Sequence, residues 1–420
     1  MKTSLDFLIA ARRSEAAELL ALSDTASLVD ATARLVHGLQ RERGLSNLYL
    51  GSAGQRFAAQ RQAQIEETDR LQAALLARFD RFDTGVAPSG HWARLFARVA
   101  FAMQGLASLA TLRSLVLRGA YSPERSTSAY CRIVSGLLAV VFEAADTATD
   151  AEVSRLLVGL FCFMQYKEQA GQERAAGSFM FAIGRIDPAQ RQRLRHLVEA
   201  QDKSLEAFQS FVDPSLLAAW RDREGCARHD AFRRMRSVLE RTVDGGPLNT
   251  GHSEHWFDAC TARIDAMRTF EEEMTEALRA LCERRRTRVV CELSALEGLG
   301  PEPADRAALS DPMDFLDERR TARGARDAPV LGPLLGASVL ELVEAQTDRL
   351  QAMTAELDAV RTNLNERKLI ERAKGLLMAC RGIDEDAAHA LLQHAAMQRR
   401  QRLVDVATGV LDCRGNTAAV

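Results

Sequence analysis

Leu71-Gln-Ala-Ala-Leu-Leu-Ala-Arg-Phe79 places leucine at 71, 75 and 76 and phenylalanine at 79, and Leu95, Val99, Ala102 and Leu106 repeat the same spacing. Intervals of three and four residues bring such positions onto one side of an α-helix, whereas a strand would scatter them over both faces. The pattern extends from Ser4 to about Leu296, cut by turn signals at Gly51-Ser-Ala-Gly54, Gly85-Val-Ala-Pro88, Asp187-Pro188, Asp213-Pro214 and Gly245-Gly246-Pro247. Aromatics make up only 6% of the chain and β-branched runs are short, so the fold class is all-α.

A length of 420 residues exceeds one ordinary core, so a large domain plus a smaller module is expected. Residues 1–297 form the large helical domain. From Gly298 to Leu335 the chain carries five prolines and the charged run Asp317-Glu318-Arg319-Arg320, the composition of a linker. Over 336–364, Leu340, Thr347, Thr354 and Arg361 share one heptad position while Val343, Leu350, Leu357 and Leu364 form an apolar seam at the other. That pattern implies either a short coiled coil, which would make a homodimer, or a helix docked on a partner. Residues 365–420 then form a small module of three short helices: one to Gly382, one capped by Asp384-Glu385-Asp386 and running to about Gln398, and one from about Arg399 to Leu411.

The net charge of −2 points to neither nucleic acid nor membrane, so any basic function must be local. No stretch approaches the roughly 20 apolar residues of a membrane helix, and the N-terminus lacks a signal-peptide core, so a cytoplasmic protein without membrane contact is expected. The eight cysteines stand singly with no CxxC pair, against a disulfide frame or zinc knuckle. From Arg361 onward there are ten Arg and Lys against seven Asp and Glu. Arg367, Lys368, Arg372 and Lys374 sit within about two helical turns, and Arg399, Arg400 and Arg402 open the last helix. Such clustering suits a solvated face or a surface for phosphates.

Glu371-Arg-Ala-Lys-Gly-Leu-Leu-Met378, then Gly382, Glu385, Ala388, Leu392, Ala396-Met397 and Leu403-Val-Asp-Val-Ala407, closely resemble the ANTAR domain in order and spacing over about fifty residues. The resemblance implies a three-helix RNA-binding module that acts in transcription antitermination by recognising paired hairpins in a leader transcript. On this reading Ala373, Ala388, Ala396 and Ala407 allow close helix packing, and the seven cations named above meet RNA. The sequence departs from the family pattern at His389, where an aromatic residue is usual, and at Gln393, where a basic one is frequent.

In the large domain, Leu39-Gln-Arg-Glu-Arg-Gly-Leu-Ser46 and Gly171-Gln-Glu-Arg-Ala-Ala-Gly-Ser178 share Gln, Glu-Arg, Gly and Ser, which suggests a duplicated bundle. Arginine in an apolar helix beside Gly and Ala is costly to desolvate unless it is paired or meets an anion. The Glu directly preceding each one, Glu42 and Glu173, faces elsewhere on the helix. Arg43 and Arg174 therefore form buried structural salt bridges or line an oxyanion pocket. A third cluster, Phe232-Arg233-Arg234-Met235-Arg236, could also turn one guanidinium inward.

These segments, with Trp256-Phe257 and the helix through Arg263 and Met267, resemble the NIT domain over roughly residues 30–290. NIT followed by ANTAR looks like the nitrate-responsive antiterminators of NasR type. The resemblance implies paired helical bundles that hold nitrate, and also nitrite, between arginines. Those roles carry over to Arg43, Arg174 and Arg234, with Arg41 competing for the first place. It also implies an anion-driven release of the module onto leader RNA, and no cofactor beyond the anion.

Other chemistry finds little footing. His252-Ser-Glu-His255 lacks the i, i+4 helical geometry of a zinc enzyme, and Gly332-Pro-Leu-Leu-Gly336 lacks the Gly-Lys-Ser/Thr of a phosphate loop. With no nucleophile elbow either, neither a catalytic residue nor a metal ligand is expected. The competing classes are a helical partner-binding scaffold with structural arginines, and a repressor of duplex DNA.

Overall fold

In the computed structural model the described residues are 4–82, 90–148, 150–225 and 229–298, and toward the C-terminus 351, 354, 362, 365–366, 369–370, 372–377, 380–381, 385–399 and 401–412. Regular structure among them is helical, apart from an isolated antiparallel bridge between Arg185 and Pro247. The first half holds α1 (Ser4–Gly51), α2 (Ala58–Phe79), α3 (Gly90–Ala107), α4 (Leu109–Leu117) and α5 (Pro123–Thr147). The second holds α6 (Ala151–Ile183), α7 (Pro188–Phe211), α8 (Pro214–Glu224), α9 (Asp230–Arg241) and α10 (His252–Gly298).

The turn signals act through identifiable caps. Asp187 and Gln190 form a reciprocal capping box with Pro188 in the first turn of α7, and the Asp213 side chain accepts from Ser215 N ahead of α8. α6 starts on Asp150, which accepts from the backbone of Glu152 and Val153, and stops at Gly184 in the left-handed region (φ 77°). Leu248 N donates to Gly184 O at 2.8 Å, drawing the segment before α10 under the end of α6. The Gly85–Pro88 signal lies outside the described residues.

α1 packs on α2 and α5, and α3 on α5; α6 packs on α7 and α10. The two groups are joined because α1, 48 residues and about 70 Å long at 1.5 Å per residue, also lies along α10. One apolar core therefore runs through both, from Val36 and Val134 to Leu157, Phe208 and Met274. Its densest part surrounds Phe163, whose ring centroid is 4.8 Å from Trp220, 5.0 Å from Phe270 and 5.2 Å from Phe208.

By length and composition two stretches, Ala93–Leu117 and Pro123–Asp146, are apolar enough to cross a membrane, contrary to the expectation from sequence. The first is broken at Ser108 between α3 and α4, and α5 buries its apolar side on α1 and α3.

α10 ends at Gly298, where the linker composition begins. The linker and most of the heptad segment lie outside the described residues. In the C-terminal module, helical residues 372–377 pack with α11 (Glu385–Arg399) and α12 (Leu403–Asp412) around Ala373, Leu392, Ala396, Val406 and Ala407. The last helix begins at Leu403, later than expected. Arg399 thus closes α11, where the helix dipole favours a cation, and Arg402 precedes α12.

Phe163→Ala should cost about 3–5 kcal/mol. Urea unfolding should show a lower midpoint with little change in slope, and a loss under about 1 kcal/mol would place the core elsewhere.

Candidate anion-binding site

α1 and α6 approach each other at their glycines. A methyl group on Gly171 would lie 2.7 Å from Arg43 Nη2, and one on Gly44 would lie 2.9 Å from Arg174 Nη2. Each arginine thus reaches across to the other helix and rests where the opposing residue has no side chain. Both guanidiniums border a cavity of about 990 Å³, which Asn47, Ser178 and Phe257 also line.

The preceding glutamates turn away, as 100° per residue requires. Glu42 receives Arg113 through two nitrogens at 2.8 and 2.9 Å, and Tyr130 Oη donates to it at 2.7 Å. Glu173 pairs with Arg236 at 2.8 Å and accepts from Gln201 at 2.7 Å. Each Glu-Arg pair therefore puts its carboxylate into its own bundle and its guanidinium into the shared cavity.

The two arginines are unequal. Arg43, 1% exposed, donates through Nη1 to Glu168 and at 2.9 Å to Cys131 Sγ, while its buried Nη2 has no hydrogen-bond partner. Burial works against its charge, but Cys131 and Glu168 raise its affinity for the proton above the ordinary value. Arg174, 5% exposed, donates to Thr261 Oγ1 at 3.0 Å and to Gln40 O at 3.5 Å, and lies over the Phe257 ring at 4.9 Å. Among the described residues it pairs with no carboxylate. Burial first, and then repulsion from Arg43, bring its pKa down to about 10. An unpaired buried cation costs several kcal/mol. An oxyanion between Arg43 Nη2 and Arg174 would offset that cost.

Trp256 fixes the position of Arg174. It covers Gly177, where a methyl would come within 2.5 Å of three indole atoms, and its Nε1 donates to Arg174 O at 2.9 Å. His252, at the start of α10, meets the Phe181 ring edge-on, and His255 is exposed.

Arg41 and Arg234, expected at the anion site, lie away from this cavity. Both are exposed and neither lines the cavity, because each lies two residues, about 200° of helix, from the arginine of its cluster that turns inward. That inward residue in the α9 cluster is Arg236, which Glu173 engages. Glu168 was missed, though a visible signal marks it: Lys167-Glu168 interrupts the apolar run of α6.

In the C-terminal module Arg372 and Arg399 are exposed, and Arg402 is exposed while pairing with Glu366 and Asp405. Lys374, expected on the RNA face, is buried beside Ala373 in the helical packing. Arg367, Lys368 and Arg400 lie outside the described residues. His389 faces the large domain, where Lys203 Nζ of α7 donates to its Nε2 at 3.1 Å.

A cavity bordered by two guanidiniums, in a helical domain that precedes a basic three-helix module, defines an anion sensor with a nucleic-acid output. The family model described as nitrate and nitrite sensing (NIT) matches residues 34–279, and the ANTAR domain model matches 358–411. The chain belongs to the NIT family and carries a C-terminal ANTAR domain. The nitrate regulatory protein of Klebsiella oxytoca is 30% identical over 412 residues, 97% of this chain and 94% of that one. The transcriptional regulatory protein PdtaR of Mycobacterium tuberculosis is 34% identical over 110 residues, 24% of this chain and 54% of that protein. The solved structure of the NasR transcription antiterminator superposes with a TM-score of 0.60 at 28% identity, covering 98% of both chains.

The lowered Arg174 value gives the site a pH signature. An anion prefers the charged form, so binding takes up protons as pH nears 10, and affinity falls as pH rises through about 10. His37, which burial and Lys167 push down to about 2, stays neutral around pH 7. Anion titrations at successive pH values should give a flat affinity from pH 6 to 8 and a decline above 9. A decline centred on pH 6–7 would contradict the assignment of Arg174.

Proposed function

We propose that this NIT–ANTAR chain works as a nitrate-responsive antitermination regulator by binding nitrate, and also nitrite, between Arg43 Nη2 and Arg174. A planar oxyanion suits two converging guanidinium edges, and the small residues at 44 and 171 admit those guanidiniums between the helices. One observation carries this reading: Arg174 is buried beside a second arginine with no carboxylate partner among the described residues. A scaffold with purely structural arginines would have paired both.

The output is binding of leader-RNA hairpins by the ANTAR module, with Arg372, Arg399 and Arg402, together with Arg367, Lys368 and Arg400, as the phosphate- and base-contacting cations. Nitrate favours the state in which this surface is free, since a ligand shifts an equilibrium only through differential affinity. The Lys203–His389 contact belongs to the docked state. The heptad seam at 343, 350, 357 and 364 would pair two chains as a homodimer in the cytoplasm.

Isothermal titration should detect nitrate binding to the full chain and lose it, by at least tenfold in affinity, in Arg174→Ala and Arg43→Ala. Gly171→Ala should weaken binding, because the added methyl would displace Arg43 Nη2. In gel shifts with leader RNA from the neighbouring operon, nitrate should increase binding for wild type and have no effect on Arg174→Ala. RNA binding indifferent to nitrate would remove the sensor role. Preference for duplex DNA at equal salt would remove the RNA role.

A further inference from the structure

The interior charge of the cavity is set by three groups. Arg43 and Arg174 each bring one positive charge, and Glu168 brings one negative charge through its contact with Arg43 Nη1. Burial opposes ionisation of Glu168, yet donation from Arg43, from Gln172 at 3.0 Å and from Gln40 at 2.8 Å holds its carboxyl below the usual range. Both glutamines of the duplicated motif thus serve the same carboxylate.

The surrounding charges cancel among themselves. Around the mouth, exposed Arg56 and Arg193 face exposed Glu124 and Glu254, with Arg56 3.7 Å from Glu254. Farther along α6 and α10, Lys167 and Arg268 are matched by Glu271 and Glu272. On the bundle side Arg236 and Arg263 are matched by Glu173 and Glu224. Asp265, which also acts on Arg174, is exposed and screened by solvent. What remains facing the cavity is one uncompensated positive charge.

We infer that Glu168 is a specificity-determining residue: by reducing the cavity's interior charge to one, it makes the site select singly charged oxyanions over doubly charged ones of the same shape. The inference rests on the anion reading of the cavity and adds what that reading leaves open, namely how the site would discriminate against a dianion such as sulfate. A buried charge acts on each unit of anion charge, so removing it helps a dianion about twice as much as a monoanion. At separations of a few ångströms in a protein interior that difference corresponds to tenfold or more in the affinity ratio.

Perchlorate and sulfate are both tetrahedral with four oxygens and differ in charge, so their ratio isolates this effect from shape. Affinities of the full chain for nitrate, perchlorate and sulfate would be measured by titration, for wild type and for Glu168→Gln, which keeps the side chain's size. The sulfate-to-perchlorate affinity ratio should rise at least tenfold in the variant, and an unchanged ratio overturns the inference. A carboxylate that only held Arg43 in place would weaken all three anions together and leave the ratio alone. If circular dichroism shows Glu168→Gln unfolded, Asn47→Lys adds the charge from the cavity wall with Glu168 intact. It should raise the ratio likewise, and failure to do so overturns the charge rule. Perchlorate binding without nitrate binding would remove the nitrate reading and leave the charge rule standing, whereas wild type binding none of the three ends both.

Discussion

The arrangement around Arg174 depends on a cation that the fold buries without neutralising. The Arg174 guanidinium is buried against the Phe257 ring and beside Gly44 where α1 crosses α6, and the charge that acts on it most strongly is that of another arginine. Such an arrangement persists because the surrounding structure over-determines it. The Trp256 indole grips the Arg174 carbonyl, Gly44 admits the guanidinium, and Thr261 and Gln40 accept its protons. In the unfolded chain the same side chain is hydrated, so part of the stability gained elsewhere in the core is offset here. An anion arriving between the two arginines, as proposed, would recover that free energy and make binding strength available to shift a conformational equilibrium.

α6 gathers the components. Within seventeen residues it carries Phe163 at the apolar centre, Lys167 and Glu168, then Gly171, Glu173, Arg174 and Gly177, and Phe179 on the cavity wall. Its neighbour α7, joined through the Asp187 cap, carries Lys203 at the contact with His389 of the RNA module. The proposed anion site and the C-terminal module therefore meet the same packed helix pair, a physical link between them that needs no long relay.

Much of this was legible in the sequence, for definite reasons. Helical periodicity located the bundles, and Asp-Pro and Gly signals marked helix ends because capping chemistry is local. The repeated Gln, Glu-Arg and Gly motif pointed to Arg43 and Arg174 because arginine among small and apolar residues has few inexpensive environments. Arg41, Arg234 and Lys374 lie elsewhere than the sequence led one to expect for one shared reason: a run of neighbouring cations does not say which member turns inward, since that depends on tertiary packing about the helix axis. Glu168 stayed hidden because its partners Arg43 and Cys131 come from other helices, 125 and 37 residues away in sequence.

A crystal structure of the full chain grown with nitrate tests the central claim most directly. The account predicts planar density bridging Arg43 Nη2 and Arg174, with Glu168 still on Arg43 Nη1. Nitrate bound elsewhere, with Arg43 Nη2 still unpartnered beside Gly171, would contradict it.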